Sequence, residues 1–164
     1  MKTAILGATG LVGRAMLELL AHRQWLTAPP RLLVSARSAG SSLSFGGNEL
    51  TCSEVGPGSF AGIDIALFSA GGQPSRQWAP VAAAAGAWVV DNSSAWRMDP
   101  DTALVVPEIN GALVAALGTG HGGGVIANPN CSTIQIAMAV APLDRVFGVR
   151  EVQVTDRKSA EKGQ

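Results

Sequence analysis

The sequence is poor in cysteine and histidine, and this scarcity argues against several kinds of protein. It has two cysteines, Cys52 and Cys131, in 164 residues, and they are too few and too far apart for a disulfide framework. Neither cysteine stands in a CxxC pair, and the histidines, His22 and His121, form no HxxxH pattern. A zinc site built on such pairs is not expected, and no metal is assigned to this chain.

An excess of one charge and long apolar runs are also missing. Twelve lysines and arginines balance 12 aspartates and glutamates, so no basic surface for nucleic acid or for an anionic membrane is expected. No apolar stretch reaches the roughly 18 residues that a spanning helix needs. The first ten residues hold no apolar signal core. We therefore expect a cytoplasmic protein that binds neither nucleic acid nor a membrane.

Hydrophobic residues nevertheless make up 47% of the chain, which is typical of a globular protein. Apolar periodicity predicts strands at 2–6, 31–36, 63–70, 87–91, 103–110 and 125–128, a hairpin around 46–48, and helices at 11–21, 75–85, 111–117 and 131–146. Strands that alternate with helices through short glycine-rich connections predict a Rossmann-type, doubly wound α/β fold with a mostly parallel sheet.

The chain is predicted to contain one complete domain. Residues 1–149 hold the alternating elements and form the expected nucleotide-binding unit. Residues 150–155 alternate like a strand, and the polar stretch after them carries no core pattern. We expect residues 150–164 to begin a catalytic or dimerisation domain whose remainder is absent, or to be an unrelated tail.

A glycine-rich turn, GATGLVG, joins the first strand to the first helix and carries Gly7, Gly10 and Gly13. Glycines at this place permit a tight turn and let backbone N–H groups at a helix start meet a pyrophosphate. The spacing is GxxGxxG, which is less common than GxGxxG. A turn that binds nothing is the alternative.

The residues after the second strand favour NADP over NAD. An NAD-preferring fold usually places an acidic residue there to hold the ribose hydroxyls. This chain has Arg37 and Ser38 instead, and a guanidinium with hydroxyls suits a 2′-phosphate that a carboxylate would repel. The alternative is a solvated surface arginine.

Cys131 follows a turn and opens an apolar helix. Pro129 disfavours helical backbone before it, and Asn130 is a suitable N-cap, so the thiol falls in the first helical turn. The positive end of the helix dipole favours the thiolate, which is the nucleophilic form. A small buried structural thiol remains the alternative here, and Cys52, in the middle of a predicted strand, is interpreted as structural.

Five stretches together resemble one family, the aspartate-semialdehyde dehydrogenases. They are GATGLVG, SARSAG, FSAGG, VVDNSSAWRMDPDTALVVPEIN and NPNCSTIQ, and the resemblance covers residues 1–150. The N-acetyl-glutamyl-phosphate reductases share the fold and the cysteine but differ in the sequence around both, and they are kept as an alternative with the same chemistry.

The resemblance implies a reaction and a set of site residues. The family makes aspartate semialdehyde from L-aspartyl 4-phosphate with NADPH, on the route to lysine, threonine and methionine, and its full-length members are homodimers or homotetramers. By resemblance Cys131 is the nucleophile that forms a thioester, and Arg97 and Asn130 bind the phosphate of the substrate. The positions that match the cofactor site are Gly7, Thr9, Gly10, Leu11, Val12, Arg37, Ser38, Ser69, Gly71, Asn92 and Ser93.

The end of the sequence departs from the family's pattern. Lys158 stands where the family has a glutamine that positions the substrate. The family's general acid–base histidine and its carboxylate-binding arginine lie much further along, and neither His22 nor His121 is placed to substitute. A second hypothesis is therefore a truncated relative that binds nucleotide without turnover.

Overall fold

A computed structural model describes residues 1–117 and 122–155. His121 and Lys158, which the sequence analysis named, lie outside the described residues. The strands are β1 Thr3–Leu6, β2 Arg31–Val34, β3 Ser42–Phe45, β4 Asn48–Thr51, β5 Ser53–Glu54, β6 Ile65–Phe68, β7 Trp88–Asp91, β8 Ala103–Leu104 and β9 Gly124–Ala127. The helices are α1 Leu11–Ala21, α2 Gly72–Ala84, α3 Pro107–Asn110, α4 Ala112–Ala116 and α5 Cys131–Phe147, with a 3₁₀ turn at Ala36–Ser38.

Within the described residues, seven strands form one parallel sheet in the order β5-β2-β1-β6-β7-β9-β8. The predicted hairpin is present as the antiparallel pair β3 and β4. The strand order runs outwards from β1 in both directions, which places a topological switch point between β1 and β6. The Rossmann-type, mostly parallel α/β fold predicted from the sequence is confirmed.

The sheet is covered on both faces, because successive residues of a strand point to opposite sides. Leu6 joins one apolar cluster, in which α2 contributes Ala79 and Ala82, both fully buried. Ile5 joins the other cluster, in which α1 contributes Leu17 and Leu20. The small alanines let α2 lie close to the sheet, so its start is held firmly at the switch point.

Three predicted elements differ in extent from the structure. The predicted strand over 103–110 is a strand only at Ala103–Leu104, because Pro107 begins α3 as the first helical residue, where its missing N–H costs nothing. Helix α2 begins at Gly72 instead of residue 75 and continues through Pro80, which lies on its exposed face. Residues 150–155 form no strand, since no described segment pairs with them.

Helix α5 is apolar and only partly covered. None of its 17 residues, all of which are described, is buried. Val146 and Phe147 are 72% and 78% exposed. Among the described helices none is long and apolar enough to cross a membrane. The described residues therefore leave an apolar helical surface open to solvent.

Enlarging Ala82 is expected to destabilise the fold. Ala82→Leu forces three extra carbons into a fully buried contact between α2 and the sheet and is expected to cost about 1–3 kcal/mol of unfolding free energy. Urea unfolding followed by circular dichroism measures the loss. Ala84→Leu, on the exposed side of the same helix, is the matched control and is expected to change stability by less than about 0.5 kcal/mol. Equal losses would show that α2 does not pack as described.

Candidate functional site

Four residues directly after the central strands form a row at the carboxyl edge of the sheet: Gly7, Ser69, Asn92 and Asn128. The backbone N–H groups of Ser69, Asn92 and Asn128 donate to the last carbonyl of the neighbouring strand, at 2.8, 2.9 and 2.8 Å. The sheet's hydrogen bonding thus continues one residue beyond β6, β7 and β9. This continuation fixes where each following loop begins.

The glycine-rich turn GATGLVG, residues 7–13, follows β1 and is the predicted phosphate loop. It is closely packed at two glycines. Gly7 has φ +89°, and a Cβ atom there would lie 2.5 Å from the carbonyl oxygen of Ser69. A Cβ atom on Gly13 would lie 2.2 Å from the carbonyl oxygen of Gly7. Both positions therefore require glycine, because any side chain would collide with backbone. The loops after β1 and β6 are consequently in contact at the switch point.

The start of α1 is open. Gly10 is its N-cap, has extended backbone and is exposed, and no side chain caps the helix. Leu11 is 89% exposed and Val12 41% exposed, while the carbonyl of Thr9 accepts a 3.0 Å bond from Arg14 Nε. Among the described residues, no side chain accepts from the first-turn N–H groups of α1. This arrangement suits an anionic group.

The ends of β2 and β6 flank this loop. Arg37 is exposed in the 3₁₀ turn that follows β2, and Ser38 beside it is half-buried. On the other side, Gly71 is the N-cap of α2 and is exposed with φ +89°. Since β2 and β6 are the two neighbours of β1, these residues border the phosphate loop from both sides.

The segment after β7 is organised by a buried carboxylate. Asp91, fully buried, accepts a 2.6 Å bond from Ser93 Oγ, and that hydroxyl in turn accepts the backbone N–H of Ala95 at 3.1 Å. Ser93 is predicted to lie near the cofactor, but its hydroxyl proton is already donated to Asp91. The second carboxylate oxygen of Asp91 is buried and has no hydrogen-bond partner among the described residues. The sequence analysis did not single out Asp91.

Arg97 ties the ends of β7 and β9 together. Its Nε donates to the carbonyl of Asn128 at 2.9 Å, and one terminal nitrogen donates to the carbonyl of Asn92 at 3.1 Å. The side chains of the two asparagines are also joined, with Nδ2 of Asn128 donating to Oδ1 of Asn92 at 2.7 Å. Only part of the guanidinium is used in these bonds, and the residue is half-buried.

Cys131 is the first residue of α5 and is exposed. The predicted N-cap is confirmed, since Asn130 Oδ1 accepts the backbone N–H of Ser132 at 2.9 Å. The Cys131 sulfur lies 4.0 Å from the same oxygen. The alternative of a buried thiol is therefore wrong for Cys131, whereas Cys52 is 1% exposed and is structural, although it lies between β4 and β5 and not within a strand.

The structure thus gathers the predicted site residues at one edge of the sheet. They follow β2, β1, β6, β7 and β9, which are consecutive neighbours. Two participants were missed, Asp91 and Asn128. The available signal for both was a polar residue at the end of an otherwise apolar strand.

A parallel sheet with a tight glycine loop at its switch point and an open helix start defines a dinucleotide-binding α/β domain. Residues 2–117 match the family model described as "Semialdehyde dehydrogenase, NAD binding domain". The chain belongs to this semialdehyde dehydrogenase family. The resemblance to the aspartate-semialdehyde dehydrogenases drawn from the sequence is thereby confirmed.

The relatives carry the name aspartate-semialdehyde dehydrogenase. One from Bacillus subtilis is 49% identical over 152 residues, which are 93% of this chain and 42% of the relative. One from Aquifex aeolicus is 49% identical over 155 residues, which are 94% of this chain and 45% of the relative. The chain spans about half the length of the curated relatives that it matches.

Solved structures agree with these relatives. Aspartate semialdehyde dehydrogenase II from Vibrio cholerae, complexed with ASA, has a TM-score of 0.79 and 43% identity, over 90% of this chain and 47% of that one. Aspartate semialdehyde dehydrogenase with NADP from Candida albicans has a TM-score of 0.73 and 26% identity, over 91% of this chain and 48% of that one.

The contact between the two loops at the switch point can be tested at Gly7. Gly7→Ala must accept both a positive φ and a collision with the Ser69 carbonyl, so it is expected to cost more than the roughly 1–3 kcal/mol of backbone strain alone. Urea unfolding measures the loss of stability. Gly40→Ala is the control, because Gly40 has φ +81° and nothing within 4 Å of an added Cβ. The same loss for both variants would contradict the close approach.

Proposed function

We propose that this chain is the dinucleotide-binding and nucleophile-bearing part of an NADP-dependent aspartate-semialdehyde dehydrogenase, which reduces L-aspartyl 4-phosphate to aspartate semialdehyde. One observation carries the proposal. An exposed thiol stands at a capped helix start, one strand away from an arginine whose guanidinium is only partly used. Relatives of 49% identity bear this enzyme's name.

The first chemical step belongs to Cys131. Its thiolate attacks the carbonyl carbon of the acyl phosphate, a carbon–sulfur bond forms, the carbon–oxygen bond to phosphorus breaks, and inorganic phosphate leaves. A bound nicotinamide would supply a hydride to the thioester carbon. Cys131 would then leave as the thiolate, when the carbon–sulfur bond breaks and the aldehyde forms. The exposed place of Cys131 at the mouth of α5 lets a substrate reach the sulfur.

Arg97 and Asn130 are proposed to handle the phosphate. The bonds from Arg97 to two backbone carbonyls leave part of its guanidinium for an anion, and these carbonyl partners carry no net charge that would cancel its own. Asn130 uses its amide oxygen as the helix cap, which leaves the amide NH₂ as a donor.

The residues present fit a dinucleotide. The close approach of Gly7 to Ser69 clears the backbone of side chains where the loops meet, and the exposed Gly10 opens the start of α1 to a pyrophosphate. Arg37 is exposed after β2, the neighbour of β1, which supports its proposed contact with a 2′-phosphate. Thr9, Leu11, Val12, Ser38, Ser69, Gly71, Asn92 and Ser93 complete the proposed cofactor site.

Two observations favour a further part in the complete enzyme. The chain spans about half the length of its relatives, and α5, which carries the nucleophile, has no buried residue. We therefore propose that this chain binds cofactor by itself but needs the remaining part of the enzyme for turnover.

Cofactor choice can be tested by fluorescence titration of the chain with NADPH and NADH. Tighter binding of NADPH is expected, and Arg37→Ala is expected to remove about 1–3 kcal/mol of that preference, which is the typical strength of a charged hydrogen bond. Arg145→Ala, on the exposed surface of α5, is the control and is expected to keep the preference. Equal affinities of the unaltered chain for the two nucleotides would refute the role of Arg37.

Turnover can be tested with the chain alone and after co-expression with the polypeptide that matches the remaining length of the Bacillus subtilis relative. Phosphate-dependent oxidation of aspartate semialdehyde by the chain alone is expected to be at least about 10²-fold slower than that of the reconstituted pair, because general acid–base help is missing. Cys131→Ser is expected to abolish the activity of the pair. Full activity of the chain alone would contradict the proposed division.

A further inference from the structure

Asn128 makes three hydrogen bonds across the site, and the proposed function gives it no role that explains them. Its backbone N–H donates to the carbonyl of Asp91 at 2.8 Å, and its own carbonyl accepts Arg97 Nε at 2.9 Å. Its side chain donates to Asn92 Oδ1 at 2.7 Å. All three bonds lead from the end of β9 to the end of β7 or to the segment that follows it. The residue is therefore fixed to the neighbouring strand through backbone and side chain together.

The link between Asn128 and the thiol is short and stiff. Pro129 follows at once, is buried, and has a φ angle restricted by its ring. Asn130 then caps α5 and Cys131 begins it. Only two residues connect Asn128 to Cys131: Pro129, with its buried ring and restricted torsion, and Asn130, with its capping bond. A displacement of Asn128 is accordingly transmitted to the start of α5.

The same residue holds Arg97. The guanidinium spans two carbonyls, those of Asn92 and Asn128, and the side-chain bond between these asparagines joins the same two residues directly. If that side-chain bond is lost, Asn92 Oδ1 loses its partner and the distance that Arg97 must span is no longer held. Arg97 and Cys131 are thus positioned through one residue.

We propose that Asn128 is a positioning residue that sets the placement of the phosphate-binding guanidinium of Arg97 relative to the thiol of Cys131. This inference rests on the proposed function, because it assigns Arg97 to the substrate phosphate and Cys131 to the attack. Asn128 itself is assigned no contact with the substrate or with the thiol in this role. It acts through the carbonyl that it offers Arg97 and through the stiff connection to α5.

The test uses the full chain and inorganic phosphate as the probe. Iodoacetamide labelling of Cys131, followed by peptide mass spectrometry, gives an alkylation rate, with buried Cys52 as the internal reference. Phosphate bound at Arg97 beside the thiol is expected to slow the labelling of Cys131. In Asn128→Ala the phosphate concentration that gives half-protection is expected to rise roughly tenfold. The reason is the loss of one hydrogen bond, from Asn128 to Asn92, that supports the charged Arg97. Asn128→Leu keeps the side-chain volume but cannot donate, and it is expected to show the same rise.

The control is Asn110→Ala. Asn110 also joins backbone segments, through Oδ1 to Val106 N–H at 2.7 Å and through Nδ2 to the Leu104 carbonyl at 2.9 Å, but it does not contact Arg97. It is expected to lower stability while leaving half-protection unchanged. If both Asn128 variants reach half-protection at the same phosphate concentration as the unaltered chain, the positioning role is overturned, while the proposed function still stands. Absence of any phosphate protection in the unaltered chain would overturn the phosphate role of Arg97, and with it both the proposed function and this inference.

Discussion

The parallel register of β1, β6, β7 and β9 is the constraint on which the whole candidate site depends. Leu6, Phe68, Asp91 and Ala127 stand in one row across these strands, and the residues that follow them continue the hydrogen bonding. A shift of one residue in any pairing would move each side chain of that strand to the other face of the sheet and into the other apolar cluster. Burial on both faces therefore fixes the register, and the register fixes which side chains meet at the edge. The packing of the core thus determines which side chains lie together at the carboxyl edge.

The electrostatics of the site follow from how few charges it contains. Arg97 is held by the carbonyls of Asn92 and Asn128, which are neutral, so these two contacts do not offset its positive charge. The nearby carboxylate of Asp91 is engaged by Ser93 and shapes the segment that carries Arg97. A carboxylate placed directly on Arg97 would hold it as firmly but would repel a phosphate. Neutral acceptors thus reconcile rigid positioning with anion binding.

Sequence patterns predicted the alternating elements, the glycine loop and the capped helix at Cys131, because each rests on local rules that act within a few residues. They failed where tertiary pairing decides: Ala103–Leu104 ends early at a helix that Pro107 begins, and residues 150–155 find no partner among the described strands. The role of Asn128 could not be read from spacing, since its partners Asp91, Asn92 and Arg97 lie far back along the chain, at the end of β7 and in the segment that follows it. Hydrogen bonds of that kind become visible only once the register is known.

The two halves of the site differ in how completely this chain builds them. The loops after β1 and β6 are packed against each other and rest on two fully formed apolar clusters. The helix that carries Cys131 is held at its start by Asn128, Pro129 and the cap at Asn130 and contacts α3, while much of its apolar length stays exposed. An apolar surface of this kind lowers its free energy when another surface covers it. The proposed cofactor binding therefore depends on contacts inside this chain, whereas the chemistry proposed for Cys131 depends on contacts that the relatives' remaining length would supply. The stiff connection at Asn128 is the point where the two requirements meet.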